Sequence, residues 1–299
     1  MGLRVQVDNL MEHHSQKSLF AVVLGEMQDG GLPHIGCRCP RCVSGRVGYA
    51  ACLAIVDVRG AETAVYLLDA TPDIKYQLNP LAEWLGPHPQ RPNRFNPPTA
   101  VFLTHAHMGH IGGLPQLGPE AMAVDGLPVY ASAELVALLQ ETRLWSPMVQ
   151  GLALRLFSPN QPIPLAPDLT LTPIPVPHRD ELGTGTFAFL INGPGKSLLY
   201  LPDIDSWQAW DAAHSVLQTV DVALVDGSFY SLAELNGRPP VAHPLISDTL
   251  AFFAGWPGEL VFTHFNHTNP ALEPNSGAVA TIQQVGAKLA HPGMRFLLD

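Results

Sequence analysis

The chain is 299 residues long, 46% hydrophobic, and carries a formal net charge of −10. That much apolar material can fill one large core or two small ones, and no run of about 18 apolar residues offers a membrane span. The acidic balance excludes a nucleic-acid wrapper, which needs a basic face to release counterions. It leaves open a small-molecule substrate bearing phosphate, because a bound metal supplies positive charge locally.

Residues 1–17 are polar and mixed in charge, without the basic-then-apolar order of a secretion signal; they read as an N-terminal extension of a cytoplasmic protein, preceding one domain over 18–299. Ser18 to Leu24 reads as a buried strand ending at Gly25, and Gly30-Gly31-Leu32-Pro33 as the loop after it. Cys37-Arg38-Cys39-Pro40-Arg41-Cys42 then brings three of the four cysteines together. Thiolates at this spacing can wrap one tetrahedral zinc ion if a fourth ligand arrives from elsewhere. A redox C-x-x-C would need a helix start after its first thiol, whereas Pro40 and Gly45 favour a knuckle at 37–42, so structural zinc is the expectation. Cys52, within the apolar run Ala50 to Val56, is expected to be an inert core thiol.

Further strands are expected over Ala50 to Val58 and Thr63 to Leu68. Thr71 and Pro72 suit the N-cap and first position of a helix. The stretch Gly86 to Pro98 reads as surface loop. Ala100 to Leu103 is a short buried strand, and Thr104-His105-Ala106-His107-Met108-Gly109-His110-Ile111-Gly112-Gly113 follows it directly. Neutral imidazole ligates zinc, iron and other first-row metals. His105 and His107 fall on one side of an extended turn, and His110 reaches the same cavity from the next helical turn. After them come strand Leu127 to Tyr130, helix Ser132 to Leu144, and the alternating stretch Leu169 to Pro177. A strand pair follows over Gly185 to Ile191 and Ser197 to Leu201, then helix Ala209 to Val220 and strand Val222 to Val225. Helix Leu245 to Ala254, strand Leu260 to Thr263 and helix Ala278 to Leu289 complete the set. His178, Asp203 and His264 each come just after a strand, in an order that makes them joint ligand candidates. His13, His14, His34, His88, His214 and His291 match no motif.

The histidine segment resembles the His-x-His-x-Asp-His motif of the metallo-β-lactamase superfamily, with Gly109 where the aspartate is usual. That resemblance, with the strand-rich halves and interspersed helices, implies an α/β fold: a four-layer αββα sandwich with the site along one edge of the sheets. It implies a first metal at His105, His107 and His178 with Asp203 nearby, and a second at His110, Asp203 and His264. Without a carboxylate at 109 the second position is expected to bind weakly, and Gly109→Asp to tighten it unless φ > 0 opposes the side chain.

His267, three residues beyond His264, matches the histidine that completes a Cys₃His zinc site with Cys37, Cys39 and Cys42 in a phosphodiesterase branch acting on cyclic phosphates from phosphonate breakdown. His243 matches a histidine which that branch places near the scissile group, a surface-loop residue being equally compatible. From about Phe20 onwards the chain looks most like the pyrroloquinoline quinone (PQQ) biosynthesis protein B family. The carriers are Gly30-Gly31-Leu32-Pro33, Ala70-Thr71-Pro72-Asp73-Ile74, Leu224-Val225-Asp226-Gly227-Ser228, Thr268-Asn269-Pro270 and Glu273-Pro274-Asn275-Ser276. Typical members of that family have a degraded histidine motif, and often asparagine where this chain has His267.

The function these resemblances imply is a metal-dependent hydrolase. Zinc, manganese or iron at the histidines would lower the pKa of bound water and supply hydroxide to a phosphodiester, ester or lactone. Asp203 would orient it and His243 or His264 would act near the leaving group. The alternatives are iron-dependent oxidation of a quinone-cofactor precursor, as in the PQQ family, or a carrier role on a decayed enzyme fold. No nucleic-acid or membrane partner is expected, and a homodimer stays open.

Overall fold

Fourteen strands divide equally between two sheets in the computed structural model, which describes residues 17–238 and 242–299. The N-terminal extension, save Lys17, and the Pro239-Pro240-Val241 stretch lie outside the described residues. The first half supplies β1 (Leu19–Gly25), β2 (Cys52–Asp57), β3 (Ala64–Leu68), β4 (Ala100–Phe102), β5 (Leu127–Ala131) and β6 (Leu152–Leu156). The second supplies β7 (Ile163–Ala166), β8 (Leu169–Pro175), β9 (Phe187–Asn192), β10 (Ser197–Leu201), β11 (Val222–Asp226), β12 (Glu259–Thr263) and β13 (Lys288–Leu289). The last strand, β14 (Arg295–Leu297), crosses back to the first sheet.

The sheets run β14-β1-β2-β3-β4-β5-β6 and β13-β12-β11-β10-β9-β8-β7. Each is antiparallel at one end and parallel at the other: β3 to β6 run parallel in the first, β10 to β13 in the second. Three apolar layers account for the stacking. Phe102, Phe189, Ile55, Tyr200 and Leu224 fill the space between the sheets. Val101, Ile74, Leu78 and Leu135 form an outer layer on the first sheet, and Leu199, Trp207, Ile246 and Ile282 one on the second. β2 shows how the sequence achieves this: Leu53 and Ile55 face the other sheet while Cys52, Ala54 and Val56 face the helices. A strand buried on both faces reads as one continuous apolar run. The result is helix, sheet, sheet, helix, the αββα sandwich.

Several helix limits differ from expectation. Thr71 does not cap a helix; its hydroxyl accepts from the Asp73 N–H at 3.1 Å and donates to Gln77 Oε1 at 2.7 Å, and the helix Ile74–Gln77 starts only after Asp73. The expected helix over 209–220 shrinks to Ala213–Leu217 because Trp207 and Trp210 turn into the core ahead of it. Ser132 does cap Ala133–Glu141, accepting from the Leu135 N–H at 3.1 Å. The last helix is Gly277–Gln284, and Lys288–Leu289, expected to be its end, is β13.

After β1 the chain enters a backbone clamp. Met27 N–H donates to Tyr49 O and Gln28 N–H to Phe265 O, both at 2.9 Å, while Phe265 N–H donates to Glu26 O at 2.7 Å. Burial raises the Glu26 carboxyl from 4.5 to about 8, against the opposing pull of its own backbone and of Arg46. The folded chain thus holds this proton more tightly than the unfolded one, so stability is lost as pH rises from about 4.5 towards 8. Glu26→Gln mimics the protonated acid and should melt a few degrees above the parent at about pH 9. Near pH 5 the two should differ little. An equal shift at both pH values would exclude this carboxyl as the cause.

Candidate metal centre

The parallel strands of both sheets deliver their C-terminal ends to one edge of the sandwich, and the polar residues gather there. His105, His107 and His110 follow β4, His178 follows β8, Asp203 follows β10, and His264 follows β12. Two turns at this edge are bought with backbone strain: Asp69, just after β3, has φ 70°, and His264 has φ 61°. Non-glycine residues hold such left-handed angles only where surroundings fix them, commonly at functional sites.

Two sets of possible ligands emerge. In the first, His105 Nε2 lies 2.9 Å and His178 Nε2 3.4 Å from His107 Nδ1. In the second, His110 Nε2 lies 3.0 Å and His264 Nε2 3.4 Å from Asp203 Oδ2. The other Asp203 oxygen, Oδ1, faces His178 Nε2 at 3.7 Å, so one carboxylate reaches towards both sets. Zinc–nitrogen and zinc–oxygen bonds of about 2.0–2.1 Å make a tetrahedral edge of roughly 3.3 Å, and these separations cluster around it. His110 Nε2, Asp203 Oδ2 and His264 Nε2 are buried without a hydrogen-bond partner among the described residues. Buried polar atoms left so are costly unless something binds them, and a divalent cation satisfies both observations.

Each outward ring nitrogen faces a polar neighbour. His105 Nδ1 lies 3.0 Å from Thr104 Oγ1, His110 Nδ1 2.7 Å from Asp69 Oδ2, and His178 Nδ1 2.9 Å from Asp205 Oδ1. His107 Nε2 lies 3.0 Å from Glu181 Oε2, and His264 Nδ1 3.0 Å from Ser228 Oγ. Such partners fix ring orientation in metal sites. Asp69 is itself fixed by the backbone N–H and hydroxyl of Thr104, at 2.8 and 2.9 Å. Burial and the neighbouring His110 push His105 well below its ordinary pKa, the neutral form a ligand needs. For His110 burial works the same way, but the Asp69 and Asp203 carboxylates outweigh it and raise the ring well above its ordinary pKa. Burial disfavours charge on Asp203 too, yet His264 and His110 keep its carboxyl well below the usual range.

His243 is buried, with Nδ1 2.7 Å from Asp226 Oδ2 and 3.9 Å from Asp203 Oδ1. It is not a surface-loop residue. Burial opposes its protonation, the Asp226 carboxylate outweighs burial, and the ring is pushed up to about 9. It therefore stands beside the centre as a ring whose cationic form is favoured.

Asp29 is the residue the sequence did not mark. It comes from the loop after β1, and its Oδ1 lies 3.4 Å from both His110 Nε2 and His264 Nε2. The surrounding protein works against its charge, but these two imidazoles hold its carboxyl far below the ordinary range. A carboxylate oxygen thus stands beside the second set, where the reading of Gly109 leaves that set one oxygen short. A cavity of about 360 Å³ opens beside Asp29, between Gly31, Leu32, Tyr49, Pro72 and Tyr76.

The cysteine knuckle forms a separate cluster. Cys37, Cys39, Cys42 and His267 place one ligand atom each within 4.8 Å of all the others. His267 Nδ1 is 3.5 Å from Cys42 Sγ and 3.8 Å from Cys39 Sγ, matching the roughly 3.5–3.8 Å edges of a tetrahedral zinc site with thiolate ligands. Burial, then His34 and Arg41, lower the His267 pKa and favour the neutral ring. His34, unassigned from sequence, lies against His267 with ring centroids 4.6 Å apart and the planes tilted by 32°. Cys52 is buried away from the cluster.

Among the described residues no helix is long and apolar enough to cross a membrane. Coenzyme PQQ synthesis protein B of Methylobacterium sp. (strain 4-46) is 28% identical to this chain over 309 residues, covering 93% of it and 99% of that protein. The protein of the same name from Klebsiella pneumoniae (strain 342) is 27% identical over 320 residues, with 94% and 99% covered. Among solved structures, Zn(2+)-bound PqqB from Methylobacterium extorquens superposes with a TM-score of 0.79 at 24% identity, over 93% of this chain and 99% of that one. A diphosphatase of the PhnP family superposes at 0.68 and 22% identity, over 93% and 97%. Likeness at these identities shows the shared fold. The family model described as Beta-lactamase superfamily domain matches residues 65–292, most of the chain, and the protein belongs to that superfamily.

Proposed function

We propose that this chain is a metal-dependent hydrolase of a small phosphodiester or a related ester, working at the centre built by His105, His107, His178, Asp203, His110 and His264. The observation that carries this reading is Asp203, whose two oxygens face two separate nitrogen sets. Divalent ions held there would activate water at neutral pH and neutralise charge building on a phosphoryl group. Nitrogen and oxygen ligands suit zinc or manganese. The chain's own residues supply the rest. Asp69, Asp205 and Glu181 keep the imidazoles aimed inwards. His243, held protonated by Asp226, can donate a proton to a departing alkoxide. The cavity beside Asp29 is of small-molecule size.

The test is a screen of phosphodiesters, such as bis(p-nitrophenyl) phosphate and nucleoside cyclic phosphates, with protein loaded with zinc or manganese. Turnover should vanish in His107→Ala, which removes one ligand nitrogen without touching the core. Turnover that survives would put the activity elsewhere.

A second reading rests on the relatives named for coenzyme PQQ synthesis, which align over 93% of this chain. On it, the same nitrogens would hold iron for oxidation of a quinone-cofactor precursor. Protein purified without added metal discriminates the two: iron supports the oxidative reading, zinc or manganese the hydrolytic one.

A further inference from the structure

We propose that Asp29, from the loop after β1, is the oxygen ligand of the second metal position, standing where the carboxylate absent from position 109 would have been. This rests on reading the histidine centre as a two-metal site, and on nothing about the reaction. Asp29 Oδ1 and Asp203 Oδ2 each lie 3.0 to 3.4 Å from both His110 Nε2 and His264 Nε2. Each of those four separations is near the nitrogen–oxygen edge of a site at divalent bond lengths, and Asp29, His110 and His264 form one cluster of possible ligands. The buried nitrogens of His110 and His264 and Oδ2 of Asp203 all lack other partners among the described residues, and Asp29 closes the set from the solvent side.

Gly109 carries the second observation. A Cβ built there would lie 2.2 Å from Asp29 Oδ1 and 2.7 Å from Asp29 Cα. Gly109 is not among the glycines with positive φ, so its backbone would accept other residues. What excludes a side chain is the Asp29 loop itself. The missing motif carboxylate and the presence of Asp29 are one arrangement: the ligand comes from a different segment, and position 109 is bare so that it can reach. Asp29 is also fixed in place. Its neighbours Met27 and Gln28 are hydrogen-bonded on one side to Tyr49 and on the other to Phe265, next to His264. Gly109→Asp therefore does not restore a missing ligand, as the motif alone implies; it drives out the ligand already there.

The experiment counts manganese by equilibrium dialysis, with free ion followed by electron paramagnetic resonance; thiolates at the knuckle compete poorly for this hard ion. The parent should bind two ions at the histidine centre. Asp29→Asn, close in shape, should keep the first and weaken the second at least tenfold. Gly109→Ala, which leaves every ligand side chain in the chain but displaces the loop, should do the same. Asp29→Glu should retain the second ion, with circular dichroism confirming the fold of all three. Two ions bound equally well by parent, Asp29→Asn and Gly109→Ala would overturn the proposal and leave the two-metal centre standing. A parent that binds no manganese would overturn both.

Discussion

Asp203→Asn should be the most damaging single change to activity, lowering phosphodiester turnover by about 10³-fold or more, in the range seen when one oriented charge-stabilising group is lost. The amide keeps the shape and removes the charge. It withdraws an anionic oxygen from the set with His110 and His264 and from the set with His178, so both metal affinities fall together. Peripheral changes should not do this: Glu181, exposed and reaching the centre only through the outer nitrogen of His107, should cost far less. The metal-free protein should also lose some stability, because the negative charge beside the His110 and His264 imidazoles is removed. The carboxyl lies below its ordinary range, so this contribution is present at neutral pH and fades on acidification. Metal-loaded kinetics alongside melting at matched pH separate the two effects. Turnover within tenfold of the parent would remove Asp203 from the chemistry.

Cys39→Ser is expected to have the largest effect on stability. Zinc held by Cys37, Cys39, Cys42 and His267 would tie the knuckle after β1 to the segment after β12. Arg41 reinforces the same junction, reaching Glu273 Oε1 at 2.9 Å. Because structural zinc binding is folding free energy, the variant should lose one zinc per chain and melt well below the parent, by roughly 5–10 °C or more for a loss of several kcal/mol. A change at Cys52 should leave zinc content alone, whatever it does to packing. Unchanged zinc and unchanged melting in Cys39→Ser would refute a structural site. His264 lies beside His267 in sequence, and the backbone of Phe265 holds Gln28. Loss of the knuckle's zinc should therefore also loosen the second metal position.

How much of this was legible in the sequence follows a physical line. Most of the ten inner strands are readable as apolar runs because both their faces are covered, and β8 as an alternating stretch. The four that escaped, β6, β7, β13 and β14, are the edges of the two sheets. β6 has no fully buried residue, and β13 is only two residues long. Such strands are held by pairing with a neighbour and carry no pattern of their own. In the centre, residues at strand ends were found because each follows an apolar run directly. Asp29, Asp69, Asp226 and Ser228 were missed as functional residues for different reasons. Asp69 and Asp226 reach the centre only through the outer faces of imidazoles, which nothing local announces, although Asp226 and Ser228 both lie in Leu224-Val225-Asp226-Gly227-Ser228. Asp29 reaches the site from the opposite sheet's first loop. The signal that could have found it is a carboxylate directly before Gly30-Gly31, joined to the question of why position 109 is a glycine.

The most direct test of a two-metal centre in this chain is an anomalous difference map from zinc-loaded crystals. Three peaks per molecule are predicted. One lies among Cys37, Cys39, Cys42 and His267, one among His105, His107 and His178, and one among His110, His264, Asp203 and Asp29, with Asp203 touching both of the latter pair. A map with a single peak at the histidines, or with the Asp29 carboxylate turned away from the metal at His110 and His264, would contradict it.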